Sequence, residues 1–203
     1  MKILVLWLAI LIPGHLAWGE SPNYQMKIQN YLNGLSTLRA NFSQHNPDGS
    51  LQKGKLWIKK YPDRMGQLRL QYEPPYNQTI IAKEGYLTIY EEDGNHSDYD
   101  IDFTPAAFVL KNHVAFEKEL SVIEIRESDD KNFALITLTR KGDEEGPSLT
   151  LIFKLTNKGG IQQLVMWEVI DMQQNKTVVV LDEDSVRVND PSLISPDTFV
   201  FKK

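Results

Sequence analysis

The 203-residue chain contains no cysteine. Structural disulfides, thiolate zinc sites, iron–sulfur clusters and cysteine nucleophiles are thereby excluded, as is acylation of an N-terminal cysteine. Histidine is scarce, four in all. His45, His96 and His113 stand in polar or loop contexts, none in an H-E-x-x-H or His–acid spacing, so neither a zinc site nor histidine-based catalysis is expected. No G-x-S-x-G elbow, P-loop or G-x-G-x-x-G occurs, and neither a metal nor a cofactor is expected. An excess of basic charge is missing too: 22 Lys and Arg against 27 Asp and Glu give a net charge of −5. Nucleic acid is therefore not an expected partner, because phosphate binding is driven by clustered Lys and Arg.

Long apolar runs are absent beyond the first, residues 3–12 (ILVLWLAILI), behind Lys2 and ahead of Pro13-Gly14. Ten residues rise only about 15 Å as a helix, roughly half a bilayer core, which is too short to span. A secretory signal peptide fits, with Ala17 and Gly19 as the small residues of a cleavage site before Glu20. Residues 1–19 are expected to be removed, leaving 20–203 as one exported monomeric domain held together by packing alone.

In what remains, Asn23 can cap a helix whose apolar positions, Ile28, Tyr31, Leu32, Leu35, Leu38 and Phe42, step by three or four. After residues 45–49 the period changes to two. Strands are expected over 55–60, 68–72, 79–83, 86–91, 121–126, 133–140, 149–154, 162–170 and 176–188, separated by turn-rich pairs such as Pro74-Pro75, Asp93-Gly94 and Gly159-Gly160. Nine or more strands with short turns and no alternating helices describe an antiparallel sheet, not a doubly wound one. Thr104-Pro105 opens a short central helix, Thr104 as its N-cap. Residues 164–170 and 177–181 are apolar at both parities, so both faces of those strands should be covered. A curved sheet with helices inside, or a two-layer sandwich with helices outside, would each satisfy that.

Asp98-Tyr99-Asp100-Ile101-Asp102 begins like a calcium loop but has Phe103 where glycine and Val109 where a bidentate glutamate is required. Read as a strand, it sets three carboxylates on a wet face. A hydrolase acting through Asp98, Asp100 or Asp102 is the remaining enzymatic alternative; the expectation is that the protein is not an enzyme.

Apolar and aromatic side chains recur on the strands in an ordered series. Leu35-x-x-Leu38-x-Ala40-x-Phe42-x-Gln44 is followed by Gly54-x-Leu56-Trp57-Ile58-x-Lys60, by Tyr72-Glu73-Pro74-Pro75 and by Gly85-Tyr86-Leu87-x-Ile89-Tyr90. Then come Thr104-Pro105 with Phe108 and Leu110, Trp167-Glu168-Val169-x-Asp171, and Lys176-Thr177-x-Val179-x-Leu181. In this order the sequence resembles the outer-membrane lipoprotein carrier family, periplasmic chaperones of triacylated lipoproteins, over nearly all of residues 20–203. The resemblance implies an α+β, mainly β fold: a half-open antiparallel barrel of about 10–11 strands with short helices as an inner lid. It implies a carrier that shields acyl chains, taking lipoproteins from an inner-membrane ABC transporter to an outer-membrane acceptor lipoprotein. With no cysteine to bear an anchor, the chain is expected to shuttle. A lipid-binding or lipid-sensing module on the same half-barrel is the alternative.

Burying an acyl chain gains about 0.8 kcal/mol per methylene, so a triacylated protein needs a dry concave surface to cross water. The expected lining is Leu56, Trp57, Met65, Leu68, Leu70, Tyr72, Leu164, Met166 and Trp167, with Phe103, Phe108 and Leu110 from the lid. In the family an arginine beside a proline holds the lid by its backbone carbonyls. Here the matching residue is Lys60, separated from Pro62 by Tyr61, with Arg64 and Arg69 as alternative latches. Lysine offers a point charge in place of a planar fork.

Overall fold

The computed structural model describes residues 23–104 and 106–201. The expected signal peptide lies outside the described residues. Helix α1 (Tyr24–Gly34) starts where expected, with the Asn23 side chain accepting a hydrogen bond from the Met26 amide at 3.0 Å. Tyr24, Ile28 and Leu32 form its buried stripe.

The helix does not continue to Phe42 as its spacing predicts. It ends at Gly34, and Thr37–His45 is strand β1, the middle of the sheet. Leu38 and Phe42 satisfy a helical repeat and a two-residue repeat alike; buried Ala40 between them fits only the second. Glycine, which costs about 1 kcal/mol in a helix interior, sits at the change of state.

The remaining strands are β2 (Leu51–Lys59), β3 (Gln67–Tyr72), β4 (Thr79–Lys83), β5 (Tyr86–Tyr90), β6 (His96–Asp100), β7 (Leu120–Glu127), β8 (Phe133–Arg140), β9 (Ser148–Leu155), β10 (Ile161–Ile170), β11 (Lys176–Leu181) and β12 (Arg187–Val188). They form one antiparallel sheet in the order β6-β5-β4-β3-β2-β1-β11-β10-β9-β8-β7, with β12 pairing β1 off that path. Edges β6 and β7 do not meet, so the barrel is half-open. The 176–188 strand breaks after Leu181 at a 3-10 turn (Glu183–Ser185). Between β6 and β7 lie α2 (Ala106–Leu110) and α3 (Phe116–Glu119). The Thr104 hydroxyl donates back to the Ile101 carbonyl at 2.8 Å, closing a 3-10 turn (Ile101–Phe103), and the Thr104 carbonyl accepts from the Ala107 amide at 3.2 Å at the entry to α2.

Helices α1 and α2 cover one face of the sheet, the inner face, where the core lies. The register builds it in rows. Gln44, Val179, Trp167, Leu151, Ile136 and Ile125 are successive cross-strand partners over six strands. Another row runs Ile89, Ile80, Leu70, Leu56, Ala40.

A bulge explains why β10 reads as apolar at both parities. Leu164 pairs with Phe153 and Met166 with Ile152, two steps on β10 against one on β9. The extra residue, Val165, reverses the alternation, so Leu164 and Trp167 share the inner face although their numbers differ in parity. On the outer face of β2–β5 lies the C-terminal segment. Phe199 is buried, and Phe201 stacks on Tyr90 with ring centroids 4.1 Å apart.

Candidate functional site: the lidded inner face

The inner face is apolar because the strands between the two edges send alternate Leu, Ile, Val and Phe side chains toward the helices. At its centre Tyr31 of α1 meets Phe153 edge to face at 5.5 Å. The Tyr31 hydroxyl accepts a hydrogen bond from the Leu164 amide at 3.3 Å, next to the bulge. Inner polar groups are paired: Glu127 accepts from the Tyr24 hydroxyl, and Gln44 accepts from the Tyr72 hydroxyl at 2.8 Å. Burial, with Glu127 adding to it for Tyr24, pushes the phenols of Tyr24 and Tyr72 up to about 12.

Besides the Tyr24 and Tyr31 contacts, several hydrogen bonds fasten the helices, among them Lys27 Nζ to the Gly159 carbonyl at 2.7 Å. Lys60, buried at the end of β2, donates from Nζ to the Leu32 carbonyl of α1 at 2.8 Å and from its amide to the Ser36 carbonyl at 2.7 Å. Burial lowers the amine to about 8. Asn33 makes a reciprocal pair with the Val114 backbone, at 3.1 and 2.7 Å. The Gly66 amide donates to the Leu110 carbonyl at the end of α2, and Arg140 Nη2 to the Asp102 carbonyl at 2.8 Å.

Among the expected lining residues, Leu56, Leu68, Leu70, Tyr72, Leu164 and Trp167 lie on the inner face, as the register requires. Leu110 is fully buried beneath the lid, and Met65 and Phe108 pack half-buried against the same core. Trp57 and Met166 lie on the opposite face. Trp57 is flanked by Arg39 and Arg69, and Met166 by Ile152 and Val180. The side chain of Phe103 lies outside the described residues. Sequence reasoning missed Ile80, Ile89 and Val169, all half-buried on the inner face; the Ile80 and Val169 parities mark them once the pairing is known.

The three basic candidates are not brought together. Arg64 is exposed and stacks over the Tyr61 ring at 4.1 Å. Arg69 points outward and donates from Nη1 to the Thr198 and Val200 carbonyls at 3.2 and 3.1 Å, holding the C-terminal segment. Lys60 alone of the three bonds a helix carbonyl among the described residues.

At the mouth of the half-barrel Phe108, Leu149 and Met172 line a cleft of about 260 Å³, rimmed by Asp102 and Arg140. Among the described residues no group of three His, Asp or Glu could hold a metal. Asp98 and Asp100 face outward and Asp102 sits beyond the end of β6, so the three carboxylates do not form one strand face.

The chain is 23% identical over 202 residues to an uncharacterized protein of Rickettsia prowazekii (strain Madrid E), covering 92% of this chain and 86% of that one. Its fold is similar to a domain assigned to outer membrane lipoprotein sorting from Vibrio parahaemolyticus (TM-score 0.52, 8% identity, 87% of this chain and 95% of that one). A LolA superfamily protein from Nitrosomonas europaea aligns with TM-score 0.44 and 10% identity over 87% of this chain and 97% of that one. The family model for outer membrane lipoprotein carrier protein LolA matches residues 33–202, from the end of α1 through the whole sheet and both lid helices. This half-open barrel with its lidded apolar face therefore belongs to the outer membrane lipoprotein carrier family, periplasmic proteins that handle lipoproteins as carriers and not as enzymes.

Proposed function

We propose that the protein carries acylated lipoproteins through the periplasm, sheltering their acyl chains between the inner face of the sheet and helices α1 to α3. It would receive them from an inner-membrane ABC transporter and deliver them to an outer-membrane acceptor lipoprotein. The observation that carries this reading is the continuous apolar row through Val179, Trp167, Leu151, Ile136 and Ile125, covered by the helices. The helices fill the space over the inner face with their own side chains, Ile28, Leu32 and Leu110 being fully buried there, so acyl chains require them to move outward. Cargo methylenes then replace helix side chains on the same surface, and the exchange of one apolar contact for another keeps loading reversible.

The two tryptophans within residues 20–203 test this. Trp167 is on the inner face and Trp57 on the outer. A triacylated lipopeptide with brominated acyl chains should quench Trp167 fluorescence in a Trp57→Phe variant and leave Trp57 unquenched in a Trp167→Phe variant. Equal quenching of both, or equal binding of the deacylated peptide, overturns the proposal.

A further inference from the structure

We infer that the free edge of β6 is a docking site for an extended segment of a partner protein with basic residues at alternate positions and apolar residues between them. β6 (His96–Asp100) pairs with β5 on one side and no described strand lies on the other; all five of its residues are exposed. The phase of the ladder follows from its ends. The Ile101 amide bonds the Gly85 carbonyl at 3.0 Å and the Glu91 amide the Asn95 carbonyl at 2.9 Å. Antiparallel bonding alternates, so Ser97 and Tyr99 turn their main-chain groups to β5, while His96, Asp98 and Asp100 present theirs outward. Such an edge is a template for strand addition.

The side chains specify what can be added. His96, Asp98 and Asp100 lie on the outer face, beside Tyr86, which is 61% exposed. Tyr99, 51% exposed, lies on the inner face beside Leu87. An incoming strand would set its own alternate residues against these two rows, lysine or arginine against the carboxylates and an apolar residue against Tyr99. Charge disfavours a second copy as the occupant, because the antiparallel register overlapping the whole strand sets Asp98 against Asp98. The carboxylate row lies on the outer face, and only Tyr99 reaches the inner one, at the edge of the sheet.

The probes are two fluorescein-labelled heptapeptides, one alternating Lys and Val, the other Glu and Val, titrated onto the purified protein by anisotropy. The Lys peptide should bind at least tenfold more tightly than the Glu peptide. Asp98→Pro removes an outward amide without touching the ladder to β5, and should weaken the Lys peptide at least tenfold. The double variant Asp98→Lys, Asp100→Lys leaves the backbone intact and should invert the preference. Amides of His96, Asp98 and Asp100 should exchange freely in the free protein and at least tenfold more slowly with the Lys peptide. Equal affinity for both peptides, undiminished binding in Asp98→Pro together with no inversion in the double variant, or protection of those amides in a peptide-free dimer would each overturn the inference. Quenching of Trp167 by brominated cargo is indifferent to all of these outcomes.

Discussion

Lys60 Nζ lies 2.8 Å from the Leu32 carbonyl oxygen, so one side chain from the end of β2 binds the last turn of the helix that covers the inner face. The bond is charge-assisted and sheltered from water, the setting in which such contacts are worth most. The last carbonyls of a helix have no partner within it, and here Lys60 supplies one.

Replacing Lys60 by Met should keep the stem packing and leave the Leu32 carbonyl unpaired, a loss of about 1–3 kcal/mol locally. Amide exchange in the second half of α1 should accelerate at least tenfold, with faster release of acylated cargo. Arg64→Ala and Arg69→Ala should leave release unchanged. Unaltered α1 exchange in Lys60→Met would remove the latch.

The same lysine sets a pH dependence. Burial lowers its pKa from 10.5 to about 8, so between those values the unfolded chain holds a proton that the folded one has released, and stability rises with pH. Below about 8 both states are protonated and Lys60 contributes no slope. Tyr24 and Tyr72, raised from 10.0 to about 12, work in the opposite sense: above pH 10 unfolding releases their protons and stability falls. Urea midpoints should therefore climb from pH 8 to about 10 and decline beyond it. In Lys60→Met the climb should vanish and the decline persist.

Phe153 is fully buried on the inner face of β9, against the Tyr31 ring. Phe153→Ala should cost about 3–5 kcal/mol by the lost transfer energy and the cavity left behind. Tyr31→Phe should be far milder, since it keeps the ring contact and removes only the hydroxyl at the Leu164 amide. Chemical denaturation of both variants checks the order.

Arg69 gives a prediction on the other side of the sheet. Arg69→Ala should free the segment it holds through Thr198 and Val200, seen as faster proteolysis within residues 190–201. Quenching of Trp167 by brominated cargo should be unaffected, because the segment and Trp167 lie on opposite faces.

How much of this was legible in the sequence depended on whether one residue type decided the local state. Strand β8 was read to its ends because Ala134, Ile136 and Leu138 alternate without interruption between turns. The helix ran too far because Leu38 and Phe42 fit two periodicities, and only their strand partners, Ile58 and Gly54, select one. Lining residues were found where strand parity is simple, as at Leu56, Leu68 and Leu70. Met166 was misplaced because a bulge is invisible to periodicity until the register with Ile152 is known. Trp57 was misplaced for a different reason. A large aromatic is expected inside, yet here the outer face of β2 shares a cleft with the C-terminal segment, and Trp57 lines it. Lys60 was identified as one of three basic candidates through family resemblance; its bond to Leu32 joins residues 28 apart in the chain and has no local signature.

Asn189 closes a short circuit between the two sides of the sheet. Its side-chain oxygen accepts from the Ser36 amide at 2.8 Å and the Ser36 hydroxyl at 3.0 Å, its side-chain nitrogen donates to the Gly34 carbonyl at 3.1 Å, and its own amide donates to Thr37. The exit of the lid helix and the root of the C-terminal segment thus share one clasp. A single asparagine at the end of the sheet thereby fixes both where the helix leaves and where the C-terminal tail begins.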